Sequence, residues 1–210
     1  MSSSRSRVKT GIGLLQTPRT AELAMPLRSG ADYSWLPRCR VGDDQGPIGA
    51  CSMFAVASWS EIMYERSISD AEVLRVYAAT KKRLGSNDPG LSFPDAFDGA
   101  KAAGWLPRNN RIVEVYDLDR LSEQPILGGF IITPVWHAYN RSGLIPDGMS
   151  MEVEGYHAEV IVAYGSITGI EGGPYVYKEG SWGLQFGWNG ITVVSESLFE
   201  KLCQEMWVIE

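Results

Sequence analysis

The stretch Asp44-Gln45-Gly46-Pro47-Ile48-Gly49-Ala50-Cys51-Ser52-Met53-Phe54-Ala55 decides how the rest of the chain is read. Gly46, Pro47 and Gly49 supply a turn. Behind it, Phe54, Ala55, Ala57, Trp59, Ile62 and Met63 fall on or near one helical face, which predicts a helix from Cys51 to about Tyr64. A thiol at a helix N-terminus feels the positive end of the helix dipole, and that favours the nucleophilic thiolate. Gln45, just upstream, has an amide NH2 able to point back at whatever the sulfur attacks. A small buried helix residue is the commoner meaning of a lone cysteine, so the case for chemistry rests on the surrounding pattern and on two later stretches. A zinc site finds no support, because no CxxC or Cys/His pair lies nearby.

Gln45, Gly46, Gly49, Cys51, Phe54 and Ala55 together resemble the active-site segment of papain-like cysteine proteases, in which a Gln, a Gly and a short turn lead to a nucleophilic Cys opening a long helix. Two positions depart from that pattern. Ser52 stands where Trp is common, and Ile48 stands where secreted members carry a disulfide cysteine.

The chain has 210 residues, enough for one large domain or two packed subdomains. It is 44% hydrophobic and 21% charged, an ordinary globular balance. Nineteen basic against 25 acidic residues give a formal net charge of -6, which argues against nonspecific nucleic-acid binding. Three cysteines, Cys39, Cys51 and Cys203, make no disulfide framework and favour a reducing, cytoplasmic compartment. No apolar run approaches membrane-spanning length, so no membrane partner is expected. The basic, Ser-rich N-terminus reads as a flexible arm over residues 1–26, shorter than the inhibitory propeptide usual in papain-like enzymes, with one domain following over 27–210.

The first part of that domain, about 45–125, reads as helical. Ser69 with Glu72 forms a capping box for a helix from about Asp70 to Leu84. Asn87-Asp88-Pro89-Gly90 is a turn, and Pro94 fits the first turn of a helix ending before Gly104. The second part, about 126–210, reads as strands: Phe130 to Thr133, His157 to Tyr164, Tyr175 to Lys178, Ile191 to Val194 and Met206 to Ile209, with a short helix after Ser195. The fold class expected is α+β. The resemblance implies a helical N-terminal subdomain packed on a β-barrel-like C-terminal one, with the active site in the cleft between them.

A nucleophilic thiol needs a base, and the chain has two histidines. His157 opens YHAEVIVAYG, whose His-Ala step into an apolar strand resembles the family's catalytic segment. His137, in VWHAY, leads into a loop and reads as a packing or partly exposed residue. The third signal is KEGSWGLQFGWNG, Lys178 to Gly190. Ser181, Trp182, Gly183, Gly187, Asn189 and Gly190 keep the spacing of the family's Asn-Ser-Trp-Gly segment, where the Trp covers the histidine. The Asn that would orient the imidazole is Gly180 here. Glu179 would take its place if the chain bulged by one residue; otherwise the site is a Cys51–His157 dyad. Gly90 resembles, by its order in the chain, the glycine that pairs its backbone with substrate, although Pro89 replaces a second glycine; any Gly after Asn-Asp-Pro is also an ordinary turn residue.

The resemblance therefore implies a cysteine-type peptidase. Cys51 attacks, His157 carries the proton, and Gln45 with the Cys51 N–H forms the oxyanion hole. Trp182 and Gly90 contact substrate or cover the base. Peptide or protein substrates and a protein inhibitor are the partners implied, with no metal and no cofactor. Two alternatives stay open. One is another amide chemistry on the same groups, deamidation or acyl transfer. The other is a non-catalytic binding member that has lost the Asn.

Overall fold

The structure, a computed structural model, describes residues 33–40, 42–138, 143–148, 151–166 and 173–210. The N-terminal arm expected over residues 1–26 lies outside them. Helix α1 runs Cys51–Tyr64. Every residue from Cys51 to Ile62 is buried, as in a helix enclosed on all sides rather than one with a wet face. Most of its interior polar groups are tied to neighbours, the Ser52 hydroxyl being an exception. Trp59 Nε1 donates to the Pro125 carbonyl at 2.8 Å, Ser60 Oγ donates to the Trp105 carbonyl at 2.9 Å, and Glu61 accepts from the Ile68 amide at 2.6 Å. Glu65, with φ of 50°, ends the helix in the left-handed region.

Helix α2 (Asp70–Leu84) starts where Ser69 accepts from the Glu72 amide at 3.3 Å. The Glu72 carboxylate does not close the box; it accepts from Trp105 Nε1 at 2.9 Å and ties α2 to the chain after the next helix. That helix, α3 (Phe93–Ala102), is capped by Ser92 and carries Pro94 in its first turn.

The strands are β1 (Tyr33–Ser34), β2 (Ile112–Val115), β3 (Ile126–Ile132), β4 (Gly155–Gly165), β5 (Tyr175–Glu179), β6 (Ile191–Ser195) and β7 (Cys203–Ile209). They form one antiparallel sheet in the order β2-β7-β3-β4-β5-β6, with β1 also paired to β4. Helix α4 (Glu196–Leu202) is capped by Ser195 and sits between β6 and β7. The expected helices and strands are all present. β1 falls within residues 32–44, which read as extended segments and turns; β2 was not anticipated, because a strand this short carries no period of its own and exists through its partner β7.

The sheet has an apolar core on each face. Helices α1 to α3 pack on Ala158, Val160 and Val162 of β4 and on Leu127 and Ile209. The other core joins Phe130, Trp136, Ile161, Trp182 and Phe199. Strand β4 serves both, because alternate side chains leave a strand on opposite faces. Its polar residues His157 and Glu159 go with the second core, where they meet Trp182 and Lys178.

Candidate active site

The turn before α1 is sewn to the segment after β5. The Gln45 amide donates to the Ser181 carbonyl at 3.0 Å, and the Gly183 amide donates to the Asp43 carbonyl at 2.8 Å. Asp44 and Trp182 pair as a bridge between them. The Gln45 side chain completes the seam: its Oε1 accepts from Ser181 Oγ at 2.6 Å and its Nε2 donates to the Ile48 carbonyl at 2.6 Å. It is 1% exposed. An amide Nε2 carries two hydrogens, so one remains beyond the bond to Ile48.

Cys51 opens α1 at the end of this turn. Its thiol lies within reach of the backbone N–H of Ala158, the residue after His157. The His157 ring stacks on Trp182 with centroids 4.3 Å apart, and Trp136 meets it edge-on at 6.3 Å. The Gln45, Cys51, His157 and Trp182 segments, up to 137 positions apart in sequence, thus converge on one place where α1 meets β4.

Electrostatically this place is neutral. Burial pushes the Cys51 thiol up to about 12, against the opposing pull of the amides of Ala158, Ser52 and Cys51 itself. The expectation that the helix terminus would favour the thiolate is therefore corrected: desolvation outweighs the terminus. Burial, and then the Lys178 ammonium, hold the His157 ring down at about 3. Neither ring nitrogen has a hydrogen-bond partner, so no bond joins ring and thiol. Cys51 and His157 are both 0% exposed. What the geometry presents is a buried thiol and a buried imidazole on adjoining segments, the charged form of each disfavoured by burial.

Glu179 goes elsewhere. It is the last residue of β5, its neighbour Lys178 enters the second core, and the alternation sends Glu179 to the opposite face. There it lies beside the Cys39 thiol with Asp43 and Glu61 close by, and burial raises it to about 8. The Cys39 thiol favours the charged form of Glu179 as a donor would, though outside strict hydrogen-bond geometry, and the carboxylate does not reach the imidazole. The one-residue bulge that would have turned it inward does not occur: β5 pairs with β6 in unbroken register from Tyr175 to Glu179. The expectation for Glu179 as the ring's partner is corrected accordingly.

Gly90 is buried, and its carbonyl accepts from Lys81 Nζ at 3.3 Å. Tyr77 links this loop to the site: its hydroxyl donates to the Pro89 carbonyl at 3.0 Å, and it lies near enough to Cys51 for their charges to interact. His137 is exposed, paired with Glu154 at 3.2 Å. Cys39, Cys51 and Cys203 are all free thiols. Among the described residues no group of three or more His, Cys, Asp or Glu side chains is arranged to hold a metal ion, and no helix is long and apolar enough to cross a membrane.

Sequence reasoning passed over Glu159 and Lys178. Both are fully buried and joined at 2.5 Å directly beneath the site. The one signal available was a charged residue within each of two strand-like runs.

This architecture matches solved structures along nearly all of its length. Xylellain, a cysteine protease from Xylella fastidiosa, superimposes with a TM-score of 0.66 over 100% of this chain and 99% of its own, at 19% identity. The chain has the papain-like fold. Digestive procathepsin L 3 of Tenebrio molitor larval midgut matches with a TM-score of 0.65 at 16% identity, over 96% of this chain and 77% of the procathepsin. The Amb a 11 cysteine protease of ragweed pollen, in its proform, matches at 0.62 and 15% identity, over 89% of this chain and 67% of that one. No protein-family model and no curated protein matches the sequence. Within a papain-like fold, the meeting of α1 and β4 is the place where Cys51 and His157 are found here.

Proposed function

We propose that this papain-like chain is a cysteine peptidase, acting on peptide bonds of peptide or protein substrates. The observation that carries the reading is the convergence of Gln45, Cys51, His157 and Trp182 through the Ser181–Gln45 seam and the Ala158 amide. The Cys51 sulfur attacks the substrate carbonyl carbon while its proton passes to His157. The carbonyl oxygen, now an oxyanion, accepts from the Cys51 N–H and from the second Nε2 hydrogen of Gln45. Collapse forms the thioester and expels the amine, which takes the proton from His157. Water, deprotonated by the same ring, then attacks the thioester and releases the acid and the thiol. Burial disfavours both the thiolate and the imidazolium here, which favours transfer of the proton as the sulfur attacks.

A second reading, a non-catalytic binding protein, draws on the full burial of both groups and the missing bond between them. Incubation with a fluorogenic peptide library, alongside a labelled amine, separates the readings. Cleavage that Cys51→Ala abolishes supports the peptidase. Amine incorporation exceeding hydrolysis redirects the chemistry to acyl transfer. A folded protein that neither cleaves, nor transfers, nor takes an epoxysuccinyl probe on Cys51 overturns the proposal.

A further inference from the structure

Strand β4 sends two polar side chains into the apolar second core, His157 and Glu159, two residues apart on one face. Glu159 Oε2 is held by the Lys178 ammonium at 2.5 Å, with both side chains 0% exposed. Lys178 also lies over the Trp136 ring at 3.8 Å and the Phe130 ring at 4.5 Å, which fixes the pair between two aromatic walls. Glu159 Oε1 is left without a partner, and so are both ring nitrogens of His157. Thr192 on β6 is a rival donor: it lies close enough to favour the charged form of Glu159 as a hydrogen bond does, although its hydroxyl falls outside strict hydrogen-bond geometry. Buried polar groups are nearly always satisfied, so an orphaned acceptor and an orphaned imidazole N–H on one strand face are complementary needs.

Gly180 supplies the independent observation. A Cβ built on it would stand 2.6 Å from Glu159 Oε1, nearer than atoms can approach. The Glu159 oxygen therefore occupies the volume that a side chain at 180 would fill, and 180 is the position at which the motif lacks its Asn.

We propose that Glu159, clamped by Lys178, is the positioning residue for His157. The structure leaves the two unbonded; in the working enzyme Oε1 accepts a ring N–H of His157, so that β4 itself supplies what the loop after β5 does not. This rests on the reading of Cys51 and His157 as nucleophile and base. The Lys178 clamp gives the arrangement its character. A bare carboxylate would hold the ring as imidazolium. With its charge offset by Lys178, Glu159 offers an oxygen acceptor of little net charge, as an amide carbonyl would. The other titratable groups facing the pair are Cys203 on β7, whose charge interacts with Lys178, and Cys51 on α1, whose charge interacts with Glu159. A side chain at 180 would displace the Glu159 oxygen from this position.

The test removes charge and acceptor separately. Glu159→Gln with Lys178→Met keeps a side-chain oxygen without leaving a buried ion unpaired; Glu159→Ala with Lys178→Met removes the oxygen. Ring-15N-labelled histidine, in a His137→Gln background that leaves His157 as the one histidine, reports the His157 tautomer and the exchange of its ring N–H without reference to turnover. The wild-type ring N–H is expected as a single tautomer protected from exchange, retained in the Gln/Met variant and lost in the Ala/Met variant. In peptide cleavage, the Ala/Met variant is expected to lose about 100-fold in kcat/KM, as a misplaced catalytic group does. The Gln/Met variant should stay within about 5-fold of wild type, and adding Gly180→Asn to the Ala/Met variant should recover at least about 10-fold. A purely structural pair would leave the Gln/Met and Ala/Met variants alike in both readouts, and that result overturns the proposal. If the Ala/Met variant does not fold, the wild-type exchange measurement decides: an unprotected ring N–H refutes the bond. An absence of turnover in the wild type, with the protected N–H present, would count against the peptidase reading alone.

Discussion

Replacing Glu179 by Gln tests the electrostatics of the sheet face opposite His157. Glu179 is 3% exposed, its carboxylate oxygens make no hydrogen bond of strict geometry, and Asp43 and Glu61 stand nearby. Burial raises it from 4.5 to about 8, and Asp43 in the same group is raised from 3.8 to about 7. The folded state therefore holds protons that the unfolded chain releases. The stability contributed by protonated Glu179 is fully present below about pH 4.5 and is lost as pH rises through about 8. At 1.36 kcal/mol per pH unit, the full rise bounds that loss at about 5 kcal/mol. Part of the rise comes from Asp43 and Glu61, and a chain that relaxes or admits water recovers some of it, so about 2 kcal/mol is the expected effect. The Gln variant keeps the shape and cannot ionise. Urea unfolding should show the two proteins within about 0.5 kcal/mol at pH 5 and the variant more stable by about 2 kcal/mol at pH 8.5. Because Glu179 does not reach the imidazole, kcat/KM and its pH profile should be those of wild type. A variant with the same stability offset at both pH values refutes the electrostatic argument; one with a shifted rate profile refutes the placement of Glu179 away from His157.

Gln45→Ala should lower kcat by roughly 10- to 1,000-fold as an oxyanion donor is lost. It should also destabilise by about 1–3 kcal/mol in thermal or urea melts, since it strands the buried Ser181 hydroxyl and frees the Ile48 carbonyl; an unchanged kcat in the folded variant would remove Gln45 from the mechanism. Trp182→Ala opens the stacked face of His157 to water, so the ring should titrate well above about 3 and towards 6.5 in an NMR titration; an unmoved value would show that Trp182 does not shield it. Gly187→Ala places a Cβ 2.2 Å from the Ile191 carbonyl oxygen at a φ of +59°, and a loss of more than about 2 kcal/mol is expected by urea melt; a neutral result would mean that the loop moves freely.

The sequence by itself carried the parts of this protein that are written in local pattern. Cys51 behind a Gly-Pro-Gly turn and ahead of an apolar helix, His157 at the head of an apolar strand, and the glycine spacing around Trp182 are each short-range signals, because turns, caps and periodicity depend on neighbours in the chain. Those signals sufficed for the α+β class; the grouping of Gln45, Cys51, His157 and Trp182 came from the resemblance of their motifs to the papain-like pattern, and the fold brings their segments together. Strand faces were beyond them. Glu179 stands next to the vacant position 180 in sequence, yet a strand sends adjacent side chains to opposite faces, and the unbroken β5–β6 register turns Glu179 away. Glu159, 21 positions from Gly180 in the chain, arrives at that vacancy because β4 pairs antiparallel with β5, Val160 opposite Glu179 and Ile161 opposite Lys178. Burial was likewise invisible: a thiol at a helix start reads as activated until the sheet closes over it, after which desolvation exceeds the pull of the helix amides. The candidate residues could be named from the order of residues along the chain; which of their segments come together was decided by the register of β4 against β5 and by the packing of α1 on β4.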